Sequence, residues 1–372
     1  MTYMNGESTV NTMTRSHRAL ALATAAAALI ALAGCSADGG GGGGGDAAAC
    51  APEDITVVGQ VRNETNPYEK SWLDGGQEFA ASVDLEQKRL TYDGESPKQL
   101  EQIRQELSTG NPECMVLNVL TNTDADTTPV VKAAQDAGAY VVTQWNKPGD
   151  LHPWDGYDKW IAHITYDGKD SGYQIAVALF ESMGGKGGVI ALQGQAANVT
   201  AENRFAGLEQ ALSEYPDITL LDQQAADWDR TKAFDTTGTL LTKHGDAIGG
   251  VWAANDDMAL GAYKALEAAS RTDVGVVGID AVPEAVQAIA DGTMVATVSS
   301  DGPWQGGIGL AMGYCALTGE LDVADLPNEN REFFAEQVLI TTDNSADYLT
   351  PKANLTDFEC GNLFDRVAGP LE

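Results

Sequence analysis

From Ile55 onward the chain repeats one unit: a short apolar run, a polar turn, then an amphipathic helical stripe. Strands are expected to begin at Ile55, Lys88, Cys114, Ala139, Ile161, Gly188, Ile218, Ile248, Val274 and Val295. The intervening helices carry their own start and stop signals. Ser96-Pro97-Lys98-Gln99 reads as an N-cap, a proline at the first helical position and a capping-box glutamine. Leu100, Ile103 and Leu107 supply its apolar face. Thr128-Pro129 opens a second helix, and Phe205, Leu208 and Leu212 mark a third that ends at Pro216. Strands alternating with helices of this length form βαβ units and parallel sheets. One sheet of ten or more strands would be unusual, so two sheets are expected. The division falls between the strand Ala139 to Thr143 and the helix after Asp170. A helix from Pro303 to Leu317 and a strand from Phe333 to Ile340 follow, too little for a third domain. The chain therefore crosses between the lobes more than once. The fold class expected is α/β, with two Rossmann-like lobes.

The N-terminus bears on the compartment. Arg15 and Arg18 precede an alanine-leucine run from Ala19 to Ala33, the order of a secretory signal. That run is shorter than the roughly 20 residues a membrane-crossing helix needs. Its end, Leu32-Ala33-Gly34-Cys35, resembles the lipobox of bacterial lipoproteins, which implies lipidation of Cys35. Gly39 to Gly45 are seven consecutive glycines, a composition that buries nothing and behaves as a flexible tether. The expected organisation is a signal peptide over 1–34, then the lipidated cysteine and tether over 35–50. The first lobe is expected to take 51–164 with 301–331, and the second 165–300 with 332–343. A tail, 344–372, wraps back on the lobes. Removing residues 1–34 takes away Arg15, Arg18 and Glu7, leaving 20 Lys and Arg against 53 Asp and Glu. Such a surface repels nucleic acid and anionic lipid, so contact with the membrane is expected through the anchor only. Cys50, Cys114, Cys315 and Cys360 remain, an even count that favours disulfides in an exported chain. Three connectivities are open. Cys50 and Cys114 each precede a strand of the first lobe, and the expected pairs are Cys50–Cys114 and Cys315–Cys360. No metal-ligand spacing accompanies them.

The strand ends carry the chemistry. Asn66 and Tyr68 follow the first strand, Asn118 and Thr121 the third, and Gln144-Trp145-Asn146 the fourth. In the second half come Gln195 to Asn198, Arg204, Trp228, Asn255, Asp280 and Ser300. In open α/β sheets, ligands bind outside the carboxyl ends of the strands. Amides, carboxylates and guanidiniums pair with adjacent hydroxyls, and aromatic rings such as Tyr68, Trp145 and Trp228 cover the C–H faces of a sugar. Taken singly, Asn and Asp at such junctions also serve as helix caps.

Ala253-Ala-Asn255-Asp256-Asp257-Met-Ala-Leu-Gly261, Val276-Val-Gly-Ile-Asp280, Leu192-Gln-Gly194 and Ala226-Asp227-Trp228-Asp229-Arg230 resemble the ribose-type periplasmic sugar-binding proteins, the type I solute-binding components of ABC importers. The resemblance spans about Ile55 to Ile340. It implies lobes joined by three hinge crossings that close on a ligand. It also implies sugar contacts from Arg204, Trp228, Asn255 and Asp280, with Asn66, Tyr68 and Asn118 in the first lobe. The chain departs from ribose binders at Trp145-Asn146, where Asp-Arg is usual, at Glu69 in place of a second aromatic, and near Ser300, where the hinge glutamine falls. An insertion with His152-Pro153-Trp154-Asp155 is placed beside the pocket. These departures imply a monosaccharide other than ribose, or a cyclic polyol.

The expected function is therefore an extracytoplasmic lipoprotein, a monomer without cofactor or metal, that delivers a neutral sugar or polyol to an ABC permease. The alternative is a receptor that feeds a membrane sensor kinase or chemoreceptor. An enzyme is disfavoured: no Gly-x-Ser-x-Gly, His-Glu-x-x-His or Walker sequence occurs. Asp256 and Asp257, as sequence neighbours, do not suit one reaction centre. Gly184-Gly-Lys-Gly-Gly188 reads as a helix stop, and the acidic run from Asp322 to Glu332 lacks the spacing of a calcium loop.

Overall fold

The computed structural model describes residues 50–350 and 352–371. Cys35, the signal segment and the glycine run lie outside the described residues. The first sheet begins with β1 (Thr56–Val61), β2 (Gln87–Thr91), β3 (Met115–Leu120), β4 (Tyr140–Gln144) and β5 (Trp160–Thr165). Between these strands run α1 (Pro67–Ser82), α2 (Ser96–Thr109) and α3 (Asp124–Ala137). α4 (Gly168–Ser182) opens the second lobe, followed by β6 (Gly187–Gln193), α5 (Val199–Glu214), β7 (Ile218–Ala225) and α6 (Arg230–His244). β8 (Ile248–Ala253), α7 (Asp256–Ala268), β9 (Gly275–Asp280), α8 (Pro283–Ala290) and β10 (Ala296–Ser299) complete its winding. α9 (Gly302–Thr318) returns to the first lobe, and β11 (Glu332–Ala335), β12 (Leu339–Ile340) and β13 (Val367–Pro370) close the chain.

The sheet orders are β13-β11-β5-β4-β3-β1-β2 and β12-β10-β9-β8-β6-β7. Within each, the first five strands run parallel in the order 2-1-3-4-5, counted from the lobe's own first strand. The strand order reverses between β1 and β3 and again between β6 and β8. A crevice opens at such a switch point, beyond the carboxyl ends of the strands. Both sheets are covered on two faces, so the inner strands are apolar nearly throughout: β3 is buried at every position, while the edge strands β2 and β7 are partly exposed. The doubly covered core contains Trp72, Trp160, Trp252 and Trp304, all with less than 2% exposure. α1 and α9 approach so closely that a Cβ on Gly306 would lie 1.7 Å from the Trp72 carbonyl oxygen.

Local signals shift some boundaries. Thr123 and Asp126 form a capping box, which starts α3 one turn before Thr128-Pro129 and leaves Pro129 inside the helix. Ser96 is not the cap of α2 but its first residue, its hydroxyl donating to Asp126. Gln99 turns inward, donating to the Leu120 carbonyl and accepting from the Asn122 N–H.

The expected strand from Phe333 to Ile340 is two strands in different lobes. β11 pairs parallel with β5 in the first sheet, and β12 pairs antiparallel with β10 in the second. The second lobe therefore does not resume at residue 332. Phe333 is fully buried and packs on Phe364, which holds β11 in the first lobe. The crossing falls at Glu336-Gln337-Val338, where Gln337 donates to the Asp167 carbonyl and the Asp170 carboxylate.

The other crossings lie between β5 and α4 and between β10 and α9. The tail adds a fourth. Its turn at Ser345–Tyr348 packs on α8, while the turn at Leu355–Phe358 packs on α1 and α9. β13 then adds an antiparallel edge to β11. Cys315–Cys360 pins this tail to α9, with Cα atoms 5.7 Å apart. Cys50–Cys114 joins the entries to the adjacent strands β1 and β3 across 5.8 Å.

Candidate functional site

The carboxyl ends of both sheets face one cavity. From the first lobe it is lined by Arg62 after β1, Asn66, Tyr68 and Glu69 at the start of α1, and Tyr92 after β2. Leu120 ends β3, with Thr121 and Asn122 just beyond it, and Trp145 and Asn146 follow β4. The second lobe supplies Gln195, Asn198, Thr200 and Arg204 around the start of α5, Trp228 before α6, Asn255 before α7, and Asp280 before α8. Eight of the ten residues expected from the sequence are brought together here.

Arg204 sits at the centre, 3% exposed. Its Nη1 donates to the Ala254 carbonyl at 2.6 Å, and its Nη2 lies 3.4 Å from Asp280 Oδ1. Its guanidinium lies over the Trp145 and Trp228 rings, 4.9 and 5.6 Å from their centroids. Burial against two indoles rules out a solvated pairing of Arg204 with Glu202 or Glu209 on the α5 surface. Trp145 Nε1 donates to the Tyr68 hydroxyl at 3.1 Å, and that hydroxyl donates to Gln305 Oε1. The Trp228 ring lies on Gly194, where a Cβ would come within 1.9 Å of it.

Backbone strain collects at the same place. Trp145, Ala197, Asp227, Trp228, Asp280 and Ala281 all have positive φ without being glycine. Residues in that region cost about 1–3 kcal/mol each and persist where surrounding contacts over-determine them.

For the asparagines, capping and cavity lining turn out to be compatible. The side-chain oxygens of Asn66, Asn198 and Asn255 accept backbone N–H groups of α1, α5 and α7. Two of the amide nitrogens then reach across the cleft: Asn66 Nδ2 to the Trp228 carbonyl at 3.5 Å, and Asn198 Nδ2 to the Asn122 carbonyl at 3.2 Å. Thr200 donates to Asn146 Oδ1 at 3.1 Å. The lobes therefore meet directly around the cavity.

Two expected residues lie elsewhere. Asn118 sits within β3 rather than at its end and faces α9, donating to the Gln305 and Gly306 carbonyls and accepting from Gln144 Nε2. Its amide satisfies buried backbone and does not line the cavity. Ser300, 1% exposed, occupies the β10–α9 crossing and is also absent from the lining. The His152–Asp155 stretch is not beside the cavity either. His152 is 2.9 Å from Glu332, which also pairs with Lys147 at 3.0 Å, so the segment is tied to the start of β11. Arg62, Tyr92, Asn122 and Thr200 line the cavity without having been singled out as contacts, and Glu69 was noted only as a departure. For Arg62 and Asn122 a signal existed: each lies within two residues of the end of an apolar strand.

Asp256 and Asp257, though adjacent, face apart. Asp256 accepts from Thr297 Oγ1 at 2.8 Å and from the Val282 N–H at 2.9 Å, and burial pushes its carboxyl up to about 7. Asp257 pairs with Arg230 at 2.7 Å. Burial pushes Asp280 up to about 8, against the pull of Arg204. A carboxyl raised in the folded state binds its proton more tightly there than in the unfolded chain. Its contribution to stability is complete below the unfolded value near 4 and declines as pH rises through the folded value. The melting temperature of the ligand-free protein is therefore expected to fall between about pH 5 and pH 8, each such group costing up to about 1.4 kcal/mol per pH unit. Calorimetry across that range checks this; a rising melting temperature would contradict it.

Residues 60–321 match the family model for a periplasmic binding protein domain. The ribose import binding protein of Salmonella typhimurium is 33% identical over 285 residues, covering 76% of this chain and 90% of that protein. The xylitol-binding protein of Mycolicibacterium smegmatis is 35% identical over 158 residues, which cover 42% of this chain and 45% of that protein. Among solved structures, a twin-arginine translocation pathway signal protein from Burkholderia phytofirmans is 44% identical with a TM-score of 0.82, covering 86% of this chain and 99% of that one.

Proposed function

We propose a function from one premise: this chain belongs to the periplasmic binding protein domain family. Members of the family bind solutes outside the cytoplasm, work with ABC permeases and are not enzymes. The chain is accordingly a sugar- or polyol-binding protein of the ABC-importer type. No helix of the described residues is long and apolar enough to cross a membrane.

Our finer reading is that a neutral monosaccharide other than ribose, or a cyclic polyol, is enclosed between the lobes and handed to a permease. The protein acts as a monomer tethered through a lipidated Cys35. One observation carries the ligand class. Each guanidinium of the cavity faces a carboxyl: Arg62 lies 3.4 Å from Glu69, and Arg204 lies 3.4 Å from Asp280. An anionic guest would meet two carboxyls and a cationic guest two guanidiniums, each unfavourable in a desolvated site. A neutral hydroxylated guest meets neither cost, and its C–H faces suit Trp145 and Trp228. The names of the relatives, ribose import and xylitol binding, agree with that class.

Mass spectrometry of the small molecule released on denaturing natively purified protein tests the reading. A neutral polyhydroxylated compound is expected. An amino acid, an organic acid or a cation would refute it.

A further inference from the structure

We propose that Arg62 is the positioning residue that couples closure of the lobes to the seating of Trp228 beside the guest. The inference rests on the reading that a solute is enclosed between the lobes.

Arg62 leaves the first lobe at the end of β1, yet its hydrogen bonds are made to the second. Nη1 donates to the Asp227 carbonyl at 2.9 Å and Nη2 to the Trp228 carbonyl at 3.4 Å. Asn66 reaches the same Trp228 carbonyl. On its own lobe the guanidinium is held by Glu69, whose other oxygen accepts the Asn63 N–H at 2.7 Å. Both partners are about nine-tenths buried, with side-chain exposures of 10% and 9%.

The acceptors belong to an unusual turn. Asp227 and Trp228 are consecutive non-glycine residues with φ of 53° and 61°. That conformation directs both carbonyls to a single guanidinium and lays the Trp228 ring on Gly194, against Arg204. A left-handed pair is intrinsically unfavourable. The contacts offsetting it include bonds from the opposite lobe, and separating the lobes breaks those bonds. The Lys232–Asp227 ion pair lies within the second lobe and is indifferent to closure. Ring placement and closure are thus one equilibrium, with Arg62 at the link. A fork of two donors is needed to hold two carbonyls; lysine presents one point of charge.

The test uses the full mature chain and the tightest binder among xylitol, D-ribose and myo-inositol, followed by stopped-flow tryptophan fluorescence. R62K keeps the charge but loses the fork. The double variant R62Q/E69Q removes both buried charges, so no carboxylate is stranded and folding is preserved. In both, solute release is expected to accelerate about 10- to 100-fold, as loss of two charge-assisted bonds implies. Association should change less than about threefold. The part of the fluorescence change that W228F abolishes should shrink in both, a signature that a merely structural role would not give. Unchanged release with an unchanged Trp228 signal in both variants would overturn the proposal. D280N in the same assay separates the two readings: if it abolishes binding while Arg62 proves silent, solute capture stands and the latch falls.

Discussion

The Asp280→Asn variant is expected to bind solute at least about 100-fold more weakly, while the empty protein is as stable as wild type or more so at pH 8. Both effects have one origin. Asp280 ends β9 with φ of 126°, is 7% exposed, and lines the cavity. Among the described residues its carboxyl meets one side chain, Arg204. A carboxylate can accept about four hydrogen bonds, so most of its capacity is left for hydroxyls of a guest. Asparagine keeps the size but offers one acceptor oxygen and no charge. It thereby loses the charge-assisted bonds, each worth roughly 1.5–3 kcal/mol. The burial that raises Asp280 to about 8 is a cost the empty fold carries at alkaline pH. Asparagine removes that cost. Titration calorimetry and thermal melts at pH 8 check the pair of effects. Undiminished affinity would remove Asp280 from the site, and a large loss of stability would mean the carboxyl supports the fold instead.

Loss of either disulfide is expected to cost about 4 kcal/mol of stability, by the chain-entropy relation for closed loops of this size. The bridged cysteines lie 64 and 45 residues apart in sequence, so the two estimates are nearly equal. The consequences differ because the bridges hold different things. Cys50–Cys114 ties two strand entries at the edge remote from the cavity, so C50S/C114S should lower the urea midpoint and leave solute affinity near wild type. Cys315–Cys360 secures the tail that carries Arg366. That residue pairs with Asp301 at 2.6 Å beside the second crossing and lies over the Trp304 ring. C315S/C360S should therefore lower the midpoint and also alter solute affinity, through the hinge. Identical midpoints for wild type and both variants would contradict the account.

The repeat of apolar run and helical stripe placed nearly every strand within one residue of its observed start, because the inner parallel strands, covered on both faces, are apolar nearly throughout. Where a strand ends inside such a run is less visible. Asn118 and Asn255 are the same residue type in similar settings, but Asn118 lies within β3 and Asn255 just beyond β8, and only the latter reaches the cavity. The β11–β12 division was marked by nothing but Glu336-Gln337 in an otherwise apolar stretch. Arg62 stands just past an apolar strand, but what it and Glu69 do there was illegible for another reason. Their role is to meet each other and the opposite lobe, and a partner 165 residues away leaves no local pattern. Asp256 and Asp257 show the converse: adjacent in sequence, they face Thr297 and Arg230 in different directions.

A crystal structure of the natively purified protein with its copurified solute would locate the guest. Density is expected for one uncharged polyhydroxylated molecule between Trp145 and Trp228, hydrogen-bonded to Asp280 and Arg204, with the Arg62 bonds to Asp227 and Trp228 intact. Solute density in the neighbouring hinge-side cavity lined by Asp301, Val338 and Arg366, with the Trp145–Trp228 space holding only water, would contradict this.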